Sequence, residues 1–157
     1  YLLTETGTIN VAELYRKHRL IEVFLVDHLQ YSCDQIHQEA EILEHTVSDH
    51  FIDALERLLN YPQTCPHGGQ IPKSGQLIEE FYNQTFTQGL APGNYVLRRV
   101  QDQHDLLHYL ETVGLKIGTP FTLEGFDPFT QLYRLHIDGK DVQIPEAIAS
   151  NLYIESN

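Results

Sequence analysis

The sequence predicts an α+β chain in two parts, helical as far as about Asn60 and built of short strands after about residue 87. Three observations predict it. Apolar residues recur at helical spacing through the first part. A Pro- and Gly-rich stretch, YPQTCPHGGQIPKSG (61–75), then interrupts the periodicity. Beyond it lie short runs rich in β-branched and aromatic residues, separated by turn residues.

Taken in order, YLLTETGT (1–8) reads as the end of a strand followed by a turn, which suggests that an N-terminal portion precedes it. Asn10, three residues before Glu13, forms a capping pair that opens a first helix, with an apolar stripe of Val11, Leu14, Ile21, Leu25 and Val26. QYSCD (30–34) is a turn in which Ser32 or Asp34 is placed to cap a second helix. That helix is expected from about residue 34 to about residue 60, stopped by Pro62 and about 40 Å long. Ile36, Ala40, Leu43, Val47, Phe51, Leu55 and Leu58 form its apolar face, while His37, Glu41, Glu44, His45 and Ser48 occupy a different stripe. Two helices cannot bury so long an apolar face alone, so either a symmetry mate or an N-terminal portion is expected to cover it, with a homodimer as the preferred reading.

After the loop, NYVLRRV (94–100), TPFTLEG (119–125), QLYRLHI (131–137), DVQIP (141–145) and LYI (152–154) are strand candidates, with Asp138-Gly139 as a hairpin turn. HDLLHYLETVGL, ended by Gly114, is a short helix between the first two. Five short strands and one intervening helix suggest a small SH3-like β-barrel.

Composition narrows the function. Ten Lys and Arg against 22 Asp and Glu give a formal charge of −12, which argues against a phosphate-gripping surface. The one basic run, YRKHR (15–19), is flanked by acids and reads as a solvated helix face. Only two cysteines and no apolar run long enough to span a bilayer fit a reducing cytoplasm and no membrane association. Six of the nine histidines (His18, His28, His37, His45, His50 and His67) fall between residues 18 and 67, a metal-binding composition.

Two constellations could carry chemistry. Glu41, Glu44 and His45 sit within little more than one helical turn, either as a solvated face or as half of a metal site. Two carboxylates and an imidazole without a thiolate suit a harder ion such as manganese or ferrous iron by ligand hardness, though affinity order alone would favour copper or zinc. The second set is His18 with Glu22 on the first helix, facing His37 on the second, joined by Cys65 and His67 in the Cys-x-His turn of the loop. Thiolate, imidazole and carboxylate make a plausible transition-metal site. The same loop pair reads otherwise as a partly buried thiol beside an ordinary histidine, and a nucleophile-base reading lacks an orienting third residue. Cys33 reads as a packed thiol, and Asp102, with Asp105 three residues on, as a helix N-cap.

The order KHRLIEVFL, DQIHQEAEILEHTVSD, CPHGGQIP and then LAPGNYVLRRV with LLHYLETVGLKIGT resembles the diphtheria toxin repressor family, closest to its streptococcal and enterococcal manganese-dependent members. The resemblance covers essentially the whole chain. It implies a wing remnant at 1–8, a helical dimerisation and metal-binding domain at 9–72, a linker at 73–86 and an FeoA-type SH3-like domain at 87–157. It further implies a regulatory metal site containing Glu41, Glu44 and His45, and a second built from Glu22, Cys65, His67 and Asp102. His18 and His37 match ancillary ligands of the wider family. The implied function is repression of metal-uptake genes by a homodimer loaded with Mn2+, or with Fe2+ or Zn2+ at one site, on operator DNA. The winged helix-turn-helix that would read the DNA is not assigned to this chain. Two rival functions are a metal-buffering or partner-binding module and a dinuclear-metal enzyme.

Overall fold

The computed structural model describes residues 4–33, 35–87 and 89–157, and the chain divides into two compact units, Tyr1–Phe81 and Tyr82–Asn157.

The first unit holds three helices, α1 (Glu5–Asp27), α2 (Ile36–Glu44) and α3 (Asp49–Leu58), followed by the extended segment that contains the Pro- and Gly-rich loop. α1 begins earlier than the sequence predicts. Thr4 is extended and its hydroxyl accepts from the Gly7 N–H, so the first orphan donors are satisfied six residues before Asn10, which lies inside the helix. Gly7, a poor helix former, had hidden the continuation, and residues 5–8 are therefore helix rather than the end of a strand; Tyr1–Leu3 lie outside the described residues.

The long second helix is in fact two. Ser48 adopts an extended backbone and accepts from the Phe51 N–H, while the Thr46 hydroxyl folds back onto the Leu43 carbonyl. Both side chains offer the backbone an alternative to helical hydrogen bonds, and together they break the helix at 45–48. The core contains Leu20, Ile21, Val23, Leu25, Ile36, Ala40, Ile52, Leu55 and Ile71, with Leu43 and Val47 packed against it. Phe51 and Leu58, expected on the buried face, stay exposed after the break, as do Leu14 and Ile42. α2 starts after Gln35 with no side-chain cap; Asp34 lies outside the described residues.

The second unit is a five-stranded antiparallel sheet of order β4-β3-β2-β1-β5, from β1 (Gly93–Val100), β2 (Pro120–Asp127), β3 (Leu132–Ile137), β4 (Lys140–Pro145) and β5 (Leu152–Ser156). Helix α4 (His104–Val113) joins β1 to β2, and the short α5 (Glu146–Ala149) precedes β5. Gly114 closes α4 in the left-handed region, and Asp138 with Gly139, both at positive φ, turns β3 into β4. Alternation is clear in β3, where Tyr133, Leu135 and Ile137 point inward onto Phe86, Phe121, Leu123 and Ile144. This is the small SH3-like architecture expected. Among the described residues no helix is long and apolar enough to cross a membrane.

Candidate metal centre

The loop reaches α1 because its own backbone folds first. Cys65 and Gly69 close a tight turn, with the Gly68 N–H donating to the Cys65 carbonyl and the Cys65 N–H to the Gly69 carbonyl. Gly68 takes φ +82°, which a side chain would strain. Arg19 of α1 then clamps the turn by donating to the Gln70 carbonyl and pairing with Glu80 at 2.8 Å. A Cβ on Gly69 would lie 2.7 Å from the guanidinium carbon of Arg19, so glycine is what lets the clamp close.

Seated this way, Cys65 and His67 meet Glu22 one turn along α1 from His18. Glu22, Cys65 and His67 each offer a ligand atom, all within 4.8 Å of one another, and they are 1%, 7% and 3% exposed. The His67 Nδ1 lies 3.5 Å from Glu22 Oε2, and its Nε2 is 3.2 Å from the Cys33 carbonyl. His18, Glu22 and His37 likewise bring ligand atoms within 4.8 Å of one another, with the His18 and His37 rings 5.1 Å apart. Glu22 belongs to both sets, so donors from α1, α2 and the loop converge around one buried carboxylate.

Glu41, Glu44 and His45 are placed differently. Glu44 is buried, with one oxygen 2.5 Å from His18 Nδ1 and the other 3.4 Å from His45 Nε2. The His45 and Glu41 side chains are mostly exposed, and Glu41 lies 4.0 Å from His37 instead. Glu44 thus turns inward towards the second set while Glu41 and His45 face outward. Ser48, which shared the predicted stripe, is spent as the α3 cap. Asp102 belongs to the second unit, two residues after β1; the cap of α4 is Gln103, which makes no side-chain cap bond.

The donor chemistry fits a divalent transition metal. A carboxylate as buried as Glu22 is costly unless compensated by cations or hydrogen bonds, and here it is compensated by imidazoles, at 2.9 Å from His18 and 3.5 Å from His67. Thiol, imidazole and carboxylate oxygen at this spacing form a mixed N, O, S donor set of the kind that holds zinc-class and first-row ions.

The basic run YRKHR proves to be packed rather than solvated. Arg16 is 2% exposed and bonds Asp53 at 3.0 Å and Glu56 at 2.6 Å, while Lys17 reaches Asp49 at 2.8 Å. Burial by itself would lower the Arg16 pKa, but the hydrogen bonds to Glu56 and Asp53 together with the nearby charges of Glu56 and Glu13 outweigh it and raise it. Asp49, Asp53 and Glu56 fall at i, i+4 and i+7 on α3, a stripe that complements this face of α1. Arg19 and Glu80, which seat the ligand loop, escaped the sequence reading because nothing local distinguishes them from solvated charges. Cys33 is half-buried, and its carbonyl contributes through His67.

Residues 4–73 match the model of the iron dependent repressor metal binding and dimerisation domain, and residues 89–156 match the FeoA domain. The structure of the manganese regulator SloR superposes with a TM-score of 0.94 at 51% identity, over 100% of this chain and 73% of that one. ScaR with bound Zn2+ gives a TM-score of 0.93, also at 51% identity, over 100% of this chain and 74% of that one. Among curated sequences, the iron-dependent repressor IdeR of Mycobacterium tuberculosis is 40% identical over 70 residues, 45% of this chain; the match spans 30% of that relative's length.

Proposed function

The chain belongs to the iron-dependent repressor family, and from that premise we propose that it is the dimerisation and metal-sensing part of a manganese-responsive transcriptional repressor. The family's relatives are regulators and not enzymes. The single observation that carries the metal reading is the buried convergence of Glu22, Cys65 and His67 from two separate segments onto one point. A solvated face would have no reason to bury a carboxylate among imidazoles.

On this reading Glu22, Cys65 and His67 hold one ion, with Asp102 of the second unit as the further ligand that the resemblance implies and His18 and His37 beside them. Glu41, Glu44 and His45 are the part of the regulatory set that this chain supplies. The bound ion supplies positive charge to the buried carboxylates and a common meeting point for their donors. The chain's own contribution is selective. Its donors converge in one arrangement, so that arrangement gains population when they are ligated, and a homodimer that fits operator DNA is favoured by linkage. The exposed Leu14, Phe51 and Leu58 supply apolar surface for the dimer. Manganese is the proposed physiological ion, because SloR is a manganese regulator at 51% identity and Glu41 adds an oxygen donor without a thiolate.

The test is operator binding by the full-length protein, measured with and without Mn2+. Glu44→Gln is expected to weaken the metal-dependent gain in affinity. If the gain survives unchanged, Glu44 is not a regulatory ligand; if the unsubstituted protein shows no gain at all, the chain is a metal-buffering module instead.

A further inference from the structure

The second unit carries its own candidate ligand set, on the outer face of the sheet and apart from every residue considered above. Glu124 on β2, His136 on β3 and Asp141 on β4 each present a ligand atom, all within 4.8 Å of one another. His136 and Asp141 are direct cross-strand partners, with Nδ1 2.7 Å from Oδ1. Alternation explains why both face outward, since Leu135 and Ile137 on either side of His136 point into the core.

Glu124 joins them through a defect in pairing. The β2–β3 register runs Leu123↔Leu135 and then Gly125↔Arg134, so Glu124 is the extra residue of a β-bulge. In a regular ladder Glu124 would stand directly opposite Arg134, and the two would form an ordinary cross-strand ion pair. The bulge hands that position to Gly125, where a Cβ would meet Arg134 Nη2 at 3.4 Å, and leaves Glu124 beside His136. Bulges of this kind re-aim a side chain and recur next to functional sites.

We propose that Glu124, His136 and Asp141 form a third divalent-cation site, selective for a zinc-class ion over manganese. The donors of one ion held at about 2.1 Å sit about 3.0 to 3.5 Å apart, so the observed spread closes by rotamer adjustment of exposed side chains on three strands already in register. One imidazole and two carboxylates without a thiolate bind first-row ions in the order that places Zn2+ well above Mn2+. The site is exposed, so water completes the coordination and affinity is modest. It needs no residue of the helical unit, and its failure would leave the proposed function untouched.

The experiment is a titration of the 157-residue chain with Zn2+, followed by long-range 1H–15N correlation of the histidine rings, which reads His136 separately from the other eight. The His136 signal is expected to move saturably, and Glu124→Gln and Asp141→Asn are each expected to weaken that response about tenfold or more, as loss of a supporting group does at metal sites. Zn2+ should reverse the paramagnetic broadening that Mn2+ causes at the same signal, because it displaces the more weakly bound ion. Both substitutions are on exposed side chains, and unchanged backbone amide spectra will show that the sheet is intact. A His136 signal unmoved by Zn2+ overturns the proposal. So does a response that both variants keep at the strength of the unsubstituted chain, which would mean that the imidazole binds zinc alone.

Discussion

His18 Nδ1 lies 2.5 Å from Glu44 Oε2 while His18 Nε2 lies 2.9 Å from Glu22 Oε1, so one imidazole on α1 ties together carboxylates that belong to two different ligand sets. Glu44 is buried, and the bond is charge-assisted. Glu44→Gln keeps the shape and removes the charge, and should cost about 1 to 2 kcal/mol of unfolding free energy in metal-free protein. It should also shift the His18 ring resonances. Urea unfolding and histidine NMR check both, and an unmoved His18 would show that the contact is not formed in solution.

Cys65 supplies the one thiol of the buried set, and soft thiolate ligation has a spectroscopic mark. Cobalt-loaded chain is expected to show a thiolate-to-cobalt charge-transfer band. Cys65→Ser should abolish it and Glu41→Gln should leave it, because Glu41 is exposed at 62% and faces His37. A band that survives in the serine variant would remove Cys65 from the site.

Arg16 anchors α3 to α1 from a nearly dry position, paired with Glu56 and Asp53. Arg16→Ala leaves Glu56 partly buried without its cation, and should destabilise the first unit by about 2 to 4 kcal/mol. The lower end is favoured because Asp53 keeps 56% of its side chain in water. Chemical denaturation measures the loss; a change below about 0.5 kcal/mol would mark the pair as ornamental.

Asp127 shapes the β2–β3 turn by accepting from the Phe129 N–H at 2.9 Å, and that bond holds its pKa below the usual value of 3.8. Its folded pKa is therefore lower than its unfolded one. The stabilisation is present above about pH 3.8 and is lost as pH falls through the folded value. Amide exchange at Phe129 should accelerate in that acid window, and Asp127→Asn should flatten the dependence. A Phe129 exchange profile that is the same in both proteins would count against the turn bond.

What the sequence by itself determined was what local chemistry dictates. Short β-branched and aromatic runs between turn residues, with the Asp138-Gly139 turn, located the strands, Gly114 ended α4, and the Cys-x-His turn with its glycines marked a loop able to present two ligands. The Pro- and Gly-rich stretch marked where helical periodicity stops. These signals lie within a few residues of one another, so chain neighbours alone express them.

Only the tertiary structure decided the rest. Residues 45–48 break the helix where Ser48 and Thr46 bond the backbone locally, and beyond the break Ile52 and Leu55 of α3 pack into the core. Glu44 follows Ile36 and Ala40 on the buried face of α2, while Glu41 and His45 lie outside it. The convergence of Glu22 with Cys65 and His67 depends on Arg19 clamping the loop across Gly69, and the burial of Arg16 depends on an acidic stripe on α3. Such contacts join residues distant in the chain, and their sign and strength come from burial, which composition and spacing do not encode.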